Sequence, residues 1–179
     1  MLRIIGILSS LIIFILLLSG CESDNKFTTN NPSVPKSENF VPYNKSKPRL
    51  IHSQTVYVPV YSSITRTEHT YDHLSTILSI RNISLSNEII VSVVDYYDTN
   101  GKLLRHFIDK PFELGKMASK DFIIPVSDLQ GGTGANFIVK WETETLVSPP
   151  LIETVMVGIL GTQGFGFTSR ATEISATFK

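Results

Sequence analysis

Two histidines and two acidic residues lie close together in one polar stretch, TEHTYDH. Glu68, His69, Asp72 and His73 fall within six residues. His69 and His73 are four residues apart, so an extended chain would point both imidazoles to the same side. Imidazole combined with carboxylate suits zinc, copper or nickel. The alternative is a solvated loop between two strands, and we favour it because no cysteine is available to complete a metal shell. We therefore predict no metal and no cofactor, with His69, Asp72 and His73 as the candidate ligands if one binds.

A second acidic stretch, DYYDTNGK, matches the start of a calcium-loop pattern in part. Asp95, Asp98, Asn100 and Gly101 supply the matching residues. A calcium loop also needs a bidentate Glu near its end and flanking helices, and here apolar strand-like runs flank the stretch. Asn-Gly is a hairpin signal, because both residues tolerate positive φ. The sequence therefore favours a tight turn over a calcium site.

Glycines concentrate in two further stretches, GGTGANF at residues 131–137 and GTQGFGF at residues 161–167. Neither contains the G-K-[ST] of a phosphate-binding loop. We expect these glycines to form tight turns or to let strands approach closely. A second interpretation places both loops at one end of the fold, where they would frame a shallow binding surface.

Catalytic motifs are missing from the sequence. It contains no G-x-S-x-G nucleophile elbow. Glu142 and Glu144, which flank Thr143, indicate an exposed strand end rather than a general acid and base. We therefore predict that the protein is not an enzyme and has no catalytic residues.

The single cysteine, Cys21, ends an apolar N-terminal run that follows Arg3. A charged start, an apolar middle and small residues are typical of a secretory signal, and a retained transmembrane helix is the alternative. The sequence Leu-Ser-Gly-Cys at residues 18–21 resembles the lipobox of bacterial lipoproteins. In that class a diacylglyceryl group is attached to the thiol and the chain is cut before the cysteine. We predict a cleaved signal peptide at residues 1–20 and lipidation of Cys21, which makes the membrane a partner.

The residues after Cys21 bear on location in the bacterial cell envelope. Glu22 follows the cysteine, and lipoproteins retained in the inner membrane often have Asp there. This favours the outer membrane over the inner membrane, on either its periplasmic face or the cell surface. The acidic pair Glu22 and Asp24 also resembles surface-export signals of some bacteria.

The composition of the chain narrows the classes of function and of stabilising feature that remain. The chain carries 16 basic and 16 acidic residues and no basic stripe, which argues against nucleic acid as a partner. One cysteine allows no intramolecular disulfide. Residues 21–50 are rich in Asn, Ser, Lys and Pro and have no period of 2 or 3.6, so we predict a lipid-anchored disordered tether there.

Residues 51–179 contain one strand-like pattern after another. TVYVPVYS alternates, and Pro59 predicts an edge strand. HLSTILSIRN alternates as well, and EIIVSVVDYY is apolar on both faces, as in a central strand. Residues 149–160 fit a strand or a helix, and their β-branched content favours the strand. The final strand is predicted in FGFTSR.

Two further runs indicate which side chains enter the core. KDFIIPV would contribute Phe122, Ile124 and Val126, and ANFIVKWE would contribute Phe137, Val139 and Trp141. Seven to eight short strands without a long helical pattern predict an all-β fold, a Greek-key immunoglobulin-like β-sandwich that forms one domain over residues 51–179.

Several of these stretches together resemble an uncharacterised bacterial lipoprotein family, a domain of unknown function. They are TVYVPVYS, LSIRN, VVDYYDTNGKLL, GGTGANFIVKWE and SPPLIETVMVG, and they cover about residues 50–172. The resemblance implies an immunoglobulin-like sandwich on a lipid anchor. It implies no activity and no catalytic residues.

The sequence therefore predicts a lipid-anchored envelope protein that serves as a non-enzymatic binding or structural module, with an envelope protein as a possible partner. The alternative is a solute- or metal-binding lipoprotein that uses residues 68–73 or the glycine-rich loops.

Overall fold

The computed structural model describes residues 41–44 and 49–178, and these form antiparallel β-structure without a helix. The all-β prediction is confirmed. The predicted signal peptide at residues 1–20, Cys21 and most of the predicted tether lie outside the described residues. In the described part of the chain, no helix is long and apolar enough to cross a bilayer.

Thirteen strands are formed by the described residues, and their bounds follow. They are β1 (Val41–Pro42), β2 (His52–Val60), β3 (Ser63–Thr67), β4 (Thr70–His73), β5 (Ser75–Arg81), β6 (Ile89–Tyr97), β7 (Leu103–His106), β8 (Phe112–Leu114), β9 (Ser119–Ile124), β10 (Ala135–Thr143), β11 (Leu151–Leu160), β12 (Gln163–Arg170) and β13 (Thr172–Phe178).

Two antiparallel sheets pack face to face in a sandwich-like arrangement. The larger sheet has the strand order β1-β8-β6-β10-β2-β13, and β7 also pairs with β6. The smaller sheet has the order β12-β11-β5-β9, and β3 and β4 form a separate hairpin. Most strands that are adjacent in a sheet are not consecutive in sequence, so the chain crosses repeatedly between the two sheets.

The core lies between the inner faces of the two sheets and follows the predicted alternation. Every second residue of β2 is buried, as is every second residue of β10, including Phe137, Val139 and Trp141. Leu78 and Ile80 of β5 and Phe122 and Ile124 of β9 complete the core from the smaller sheet. Core positions in these strands can therefore be read from a period of two.

The prediction that Val126 belongs to the core is wrong. Val126 is 53% exposed. The strand β9 ends at Ile124, and the residue that follows is Pro125, which lacks the N–H needed to continue a ladder. Val126 consequently leaves the inner face.

The prediction that Pro59 marks an edge strand is also wrong, because β2 lies between β10 and β13. The pairing of β13 with β2 stops at Tyr57, so Pro59 lies beyond it. The missing N–H of Pro59 therefore removes no bond to β13. Its carbonyl accepts a hydrogen bond of 2.7 Å from the Thr154 hydroxyl of the smaller sheet.

The described end of the predicted tether, residues 41–44 and 49–50, includes a short strand. Val41 and Pro42 pair with β8. The Tyr43 amide donates to the Pro111 carbonyl at 3.1 Å, and the Tyr43 hydroxyl donates to Glu144 Oε1 at 2.6 Å. Two paired residues and one side-chain hydrogen bond produce no hydrophobic period, so the composition of this segment does not reveal them.

The number of strands exceeds the predicted seven to eight. The additional strands β1, β3, β4, β7 and β8 are two to five residues long, too short for a period to stand out. FGFTSR belongs to β12 and is not the last strand, since β13 follows it. The residues of β13 are almost all exposed, and this hides the alternation of a half-buried strand. The preference for a strand at residues 149–160 is confirmed by β11.

The two ends of the sandwich are formed by different strands and loops. One end, here called the tip, holds the β3–β4 hairpin, the loop before β10 and the β11–β12 turn. The Ser62 carbonyl accepts from the Leu74 amide at 2.9 Å, and the Ser62 amide donates to the Gly132 carbonyl at 3.0 Å. The opposite end, here called the base, holds β1 and the hydrogen bond of 2.9 Å from the Ile51 amide to the Thr143 carbonyl.

Candidate functional site

A groove of about 500 Å³ opens at the tip of the sandwich, between the β3–β4 hairpin and the end of β11. We call it the tip groove. It is lined by Tyr71, Asp72, His73, Ser75, Val126, Val157, Gly158 and Ile159. Three stretches that are far apart in sequence contribute to it, residues 71–75, 126 and 157–159, so it exists only in the folded chain.

Gly158 allows the elements around the tip groove to approach each other. A Cβ at this position would lie 2.6 Å from Leu74 Cδ2 and 2.8 Å from Phe165 Cζ. Both distances are shorter than real Cβ contacts, so a larger residue would push Leu74 or Phe165 away. The absence of a side chain at Gly158 therefore helps to set the shape of the groove.

The rim of the groove is apolar and exposed. Tyr71 and Val126 are each 53% exposed, and Ile159 is 76% exposed. Single exposed apolar residues are common on protein surfaces, but several of them around one concave site are a feature of binding surfaces.

The polar side of the groove includes two of the residues nominated from the sequence. The Asp72 carboxylate is an ion-pair partner of Arg66 at 3.1 Å, and it is mostly buried. His73 is exposed and lies opposite Ser63 in the hairpin. His69 is in the turn that joins β3 to β4 and does not line the groove. Among the described residues no group of three His, Cys, Asp or Glu side chains could hold a metal ion.

The first glycine-rich loop lies at the tip, but packing within the fold occupies it. A Cβ at Gly131 would lie 1.9 Å from the Tyr96 hydroxyl and 2.4 Å from Ser62 Oγ. The Gly131 carbonyl accepts 2.9 Å hydrogen bonds from both the amide and the hydroxyl of Thr99. Close approach, the first of the two interpretations, therefore holds for this loop.

The second glycine-rich stretch forms the β11–β12 hairpin, also at the tip. Gly161 has a φ of +62° in its turn, a conformation that favours glycine. Gly164 and Gly166 lie within β12 and are exposed. Both glycine-rich stretches are thus at one end of the fold, as the second interpretation proposed.

The DYYDTNGK stretch forms the tight turn between β6 and β7. Gly101 has a φ of +79°. Asp98 Oδ1 accepts hydrogen bonds of 2.8 Å from the amides of Asn100 and Lys102. Asp95 instead contacts His106 Nδ1 at 2.7 Å. The Asp98 carboxylate therefore stabilises the turn.

An apolar surface on the outer face of the smaller sheet continues from the tip groove. Ile77 pairs with both Val155 and Ile123, and Val157 and Ile159 follow along β11. We call these five residues the platform. Ile123, Val157 and Ile159 are exposed, and Ile77 and Val155 are half-buried. Sequence reasoning missed the platform. A signal was present, because these apolar residues alternate with the core residues along the same strands.

The base contains two unusual aromatic environments. Burial, with a further contribution from the hydrogen bond to the Glu144 carboxylate, raises the pKa of the Tyr43 phenol far above its ordinary value. His52 is buried and stacks on Phe178 with ring centres 4.2 Å apart. Within the described residues, neither ring nitrogen of His52 has a hydrogen-bond partner. Neither environment contributes to the tip groove.

The comparisons with known proteins concern the folded part of the chain. The family described as "Protein of unknown function (DUF3124)" matches residues 53–174. No curated protein matches the sequence significantly. A solved structure described as "Crystal Structure of Thermotoga maritima 1070" is similar with a TM-score of 0.41 and 11% identity, over 66% of this chain and 92% of that chain. The predicted membership of a domain-of-unknown-function family is confirmed, because the match spans more than half of the sequence, and the protein belongs to the DUF3124 family.

Proposed function

We propose that the protein is a lipid-anchored cell-envelope module, without a catalytic role, that binds a protein partner through the tip groove. The anchor is Cys21, in an outer membrane rather than an inner one, and the folded part is an immunoglobulin-like sandwich. The lipobox-like sequence before Cys21 supports the anchor. The crossing of the chain between two antiparallel sheets supports the sandwich.

The observation that carries this proposal is the exposed apolar rim of a concave site. Val126, Val157 and Ile159 surround a volume of about 500 Å³ and remain open to solvent. Covering such side chains releases about 25 cal/mol for each Å² removed from water, which favours a partner with apolar side chains of its own.

The groove lies at the end of the sandwich opposite to β1, the first described strand.

Site-specific photo-crosslinking in intact envelopes tests the proposal. A photoreactive residue at Ile159 should capture a discrete protein, whereas the same residue at Leu85 should not. The two positions are matched, since Ile159 is 76% and Leu85 is 79% exposed, and Leu85 lies in the β5–β6 loop away from the groove. Equal capture at both positions, or none at Ile159, would refute partner binding at the groove.

A small solute is the second candidate occupant. The volume of the tip groove falls in the range of small-molecule sites, roughly 300–1,000 Å³. Asp72 and His73 would supply the few polar contacts that such sites use, or part of a metal shell. Thermal unfolding of the protein with zinc, nickel or small apolar compounds distinguishes this candidate, because a solute-binding protein gains stability with ligand concentration and a partner-binding groove does not.

A further inference from the structure

The smaller sheet ends in a strand whose outer edge is unpaired. β12 pairs with β11 on one side, and no described strand pairs with it on the other. Leu160 and Gln163 are partners across the two-residue turn of the hairpin, and the Ala171 amide donates to the Ile152 carbonyl at 3.0 Å. In an antiparallel ladder with this register, odd-numbered residues of β12 bond to β11 and even-numbered residues direct their N–H and C=O groups outward.

The outward-directed backbone groups belong to Gly164, Gly166, Thr168 and Arg170. All four residues are exposed. A row of unpaired donors and acceptors of this kind is a template for another strand, and proteins usually block it with charges, proline or bulges.

Three other edge strands of the two large sheets carry such blocks. β9 contains Lys120 and Asp121, and Pro125 follows it. β1 has two residues, one of them Pro42. The register of β13 shifts between Glu173 and Ser175. From Gln163 to Ser169, by contrast, β12 has no charge, no proline and no register shift.

The side chains beside this edge define what fits there. Gly164 pairs with Ile159 and Gly166 pairs with Val157, so the platform borders two residues without side chains. An added strand with large apolar side chains at these positions would cover Val157 and Ile159. A second copy of β12 would not, because its own outer-face residues are Gly164, Gly166 and Thr168.

Arg170 adds a charge requirement at one end of the edge. It is exposed, and in the part of the chain that the structure describes its guanidinium makes no ion pair or hydrogen bond, whereas the neighbouring Glu153 pairs with Arg81 at 3.7 Å. An acidic side chain opposite Arg170 would complement it.

We propose that the protein partner binds as an extended antiparallel strand added to the free edge of β12, with apolar side chains over Gly164 and Gly166 and an acidic residue opposite Arg170. This inference rests on the proposed function and names the conformation and chemistry of the partner. Backbone bonds supply affinity in this binding mode, and alternate side chains supply specificity.

A synthetic peptide tests the inference directly. Asp-Thr-Val-Thr-Val-Thr-Val, labelled with a fluorophore, would place its acidic residue opposite Arg170 and its valines opposite Thr168, Gly166 and Gly164. Fluorescence anisotropy with the mature protein should show saturable binding. N-methylation of the valines removes the N–H groups that face β12 and should abolish binding, while N-methylation of the threonines should leave it intact.

A matched pair of variants tests whether the peptide binds at the edge of β12. Gly164→Asp should weaken binding at least about tenfold, and Thr162→Asp, which adds the same charge in the adjacent turn, should change it less than about twofold. Gly164 tolerates a side chain, since a Cβ there would be 3.9 Å from the nearest described atom.

The outcomes separate this inference from the proposed function. No peptide binding, or equal loss with either methylated peptide, overturns strand addition. A partner that still crosslinks at Ile159, with a yield that Gly164→Asp does not change, would show that the groove binds its partner without the edge of β12. Strand addition would then be overturned, and partner binding at the groove would stand. A dimer in sedimentation that Gly164→Asp dissociates would identify a second copy as the occupant and would also overturn the inference.

Discussion

Replacement of Trp141 by alanine tests the packing on which the whole fold depends. Trp141 is fully buried on the inner face of β10. Its Nε1 donates to Gln54 Oε1 at 2.8 Å, and its ring meets His52 edge-on with centres 4.9 Å apart. The substitution therefore removes a large aromatic ring and also leaves a buried acceptor without its donor.

The expected loss follows from these two effects. Truncation of a buried tryptophan costs about 3–5 kcal/mol, and the loss of the donor to Gln54 adds about 1 kcal/mol. A total near 4–6 kcal/mol is a large share of the roughly 5–15 kcal/mol that stabilises most domains. Trp141→Phe keeps most of the volume and removes the N–H, so it should cost about 1–3 kcal/mol.

Lys140 provides the control on the opposite face of the same strand. Its amine is 3.0 Å from Glu142 in a partly exposed ion pair, so Lys140→Ala should cost less than about 1 kcal/mol. Guanidinium unfolding followed by far-UV circular dichroism measures all three variants without depending on tryptophan. If the variants at positions 140 and 141 cost the same, or if the indole of the native protein emits as in water, the assigned register of β10 is wrong.

Four further predictions address the anchor, the histidines and the base. Cys21→Ser should abolish lipid labelling and leave the precursor uncut, and normal maturation in mass spectrometry would contradict the lipoprotein hypothesis. Replacing His69 and His73 together by alanine should change neither the melting temperature nor the metal content, and a metal-dependent rise in melting temperature that disappears in this variant would support a site there. Because the folded pKa of Tyr43 is raised, its contribution to stability is complete below about pH 10 and is lost as the pH rises further; unfolding midpoints of the native protein and Tyr43→Phe should therefore converge at alkaline pH. His52→Phe removes two buried nitrogens without partners among the described residues and should stabilise the protein by about 1 kcal/mol, and a clear loss of stability on thermal unfolding would indicate that the imidazole has an unseen partner.

The sequence predicts the long strands well because burial acts on every second side chain. Phe137, Val139 and Trp141 share one phase, and each is buried. Where burial does not alternate, the prediction fails. β13 is exposed on both faces, and β1 is only two residues long. Both strands form through backbone hydrogen bonds, and the pattern of their side chains does not reveal them.

The tip groove is harder to predict because its parts are distant in sequence. Tyr71 and Val157 line it together, although they belong to a hairpin and a sheet that meet only in the folded chain. Asp72 and His73 were nominated for their chemistry and do line the groove, whereas His69 does not. Residue type therefore indicated the right segment, and the pairing of β3 with β4 decided which of its side chains face the groove.

The place of β2 in the larger sheet limits when the domain can fold. Its two neighbours, β10 and β13, are synthesised long after it, and the hydrogen bond between Gln54 and Glu173 closes a sequence separation of 119 residues. Such distant pairing carries a large loop-closure entropy before it is stabilised, and it makes folding slow. The larger sheet remains incomplete until β13 is available to pair with β2. The early strands of this sheet must therefore stay free of other partners until β13 has been synthesised.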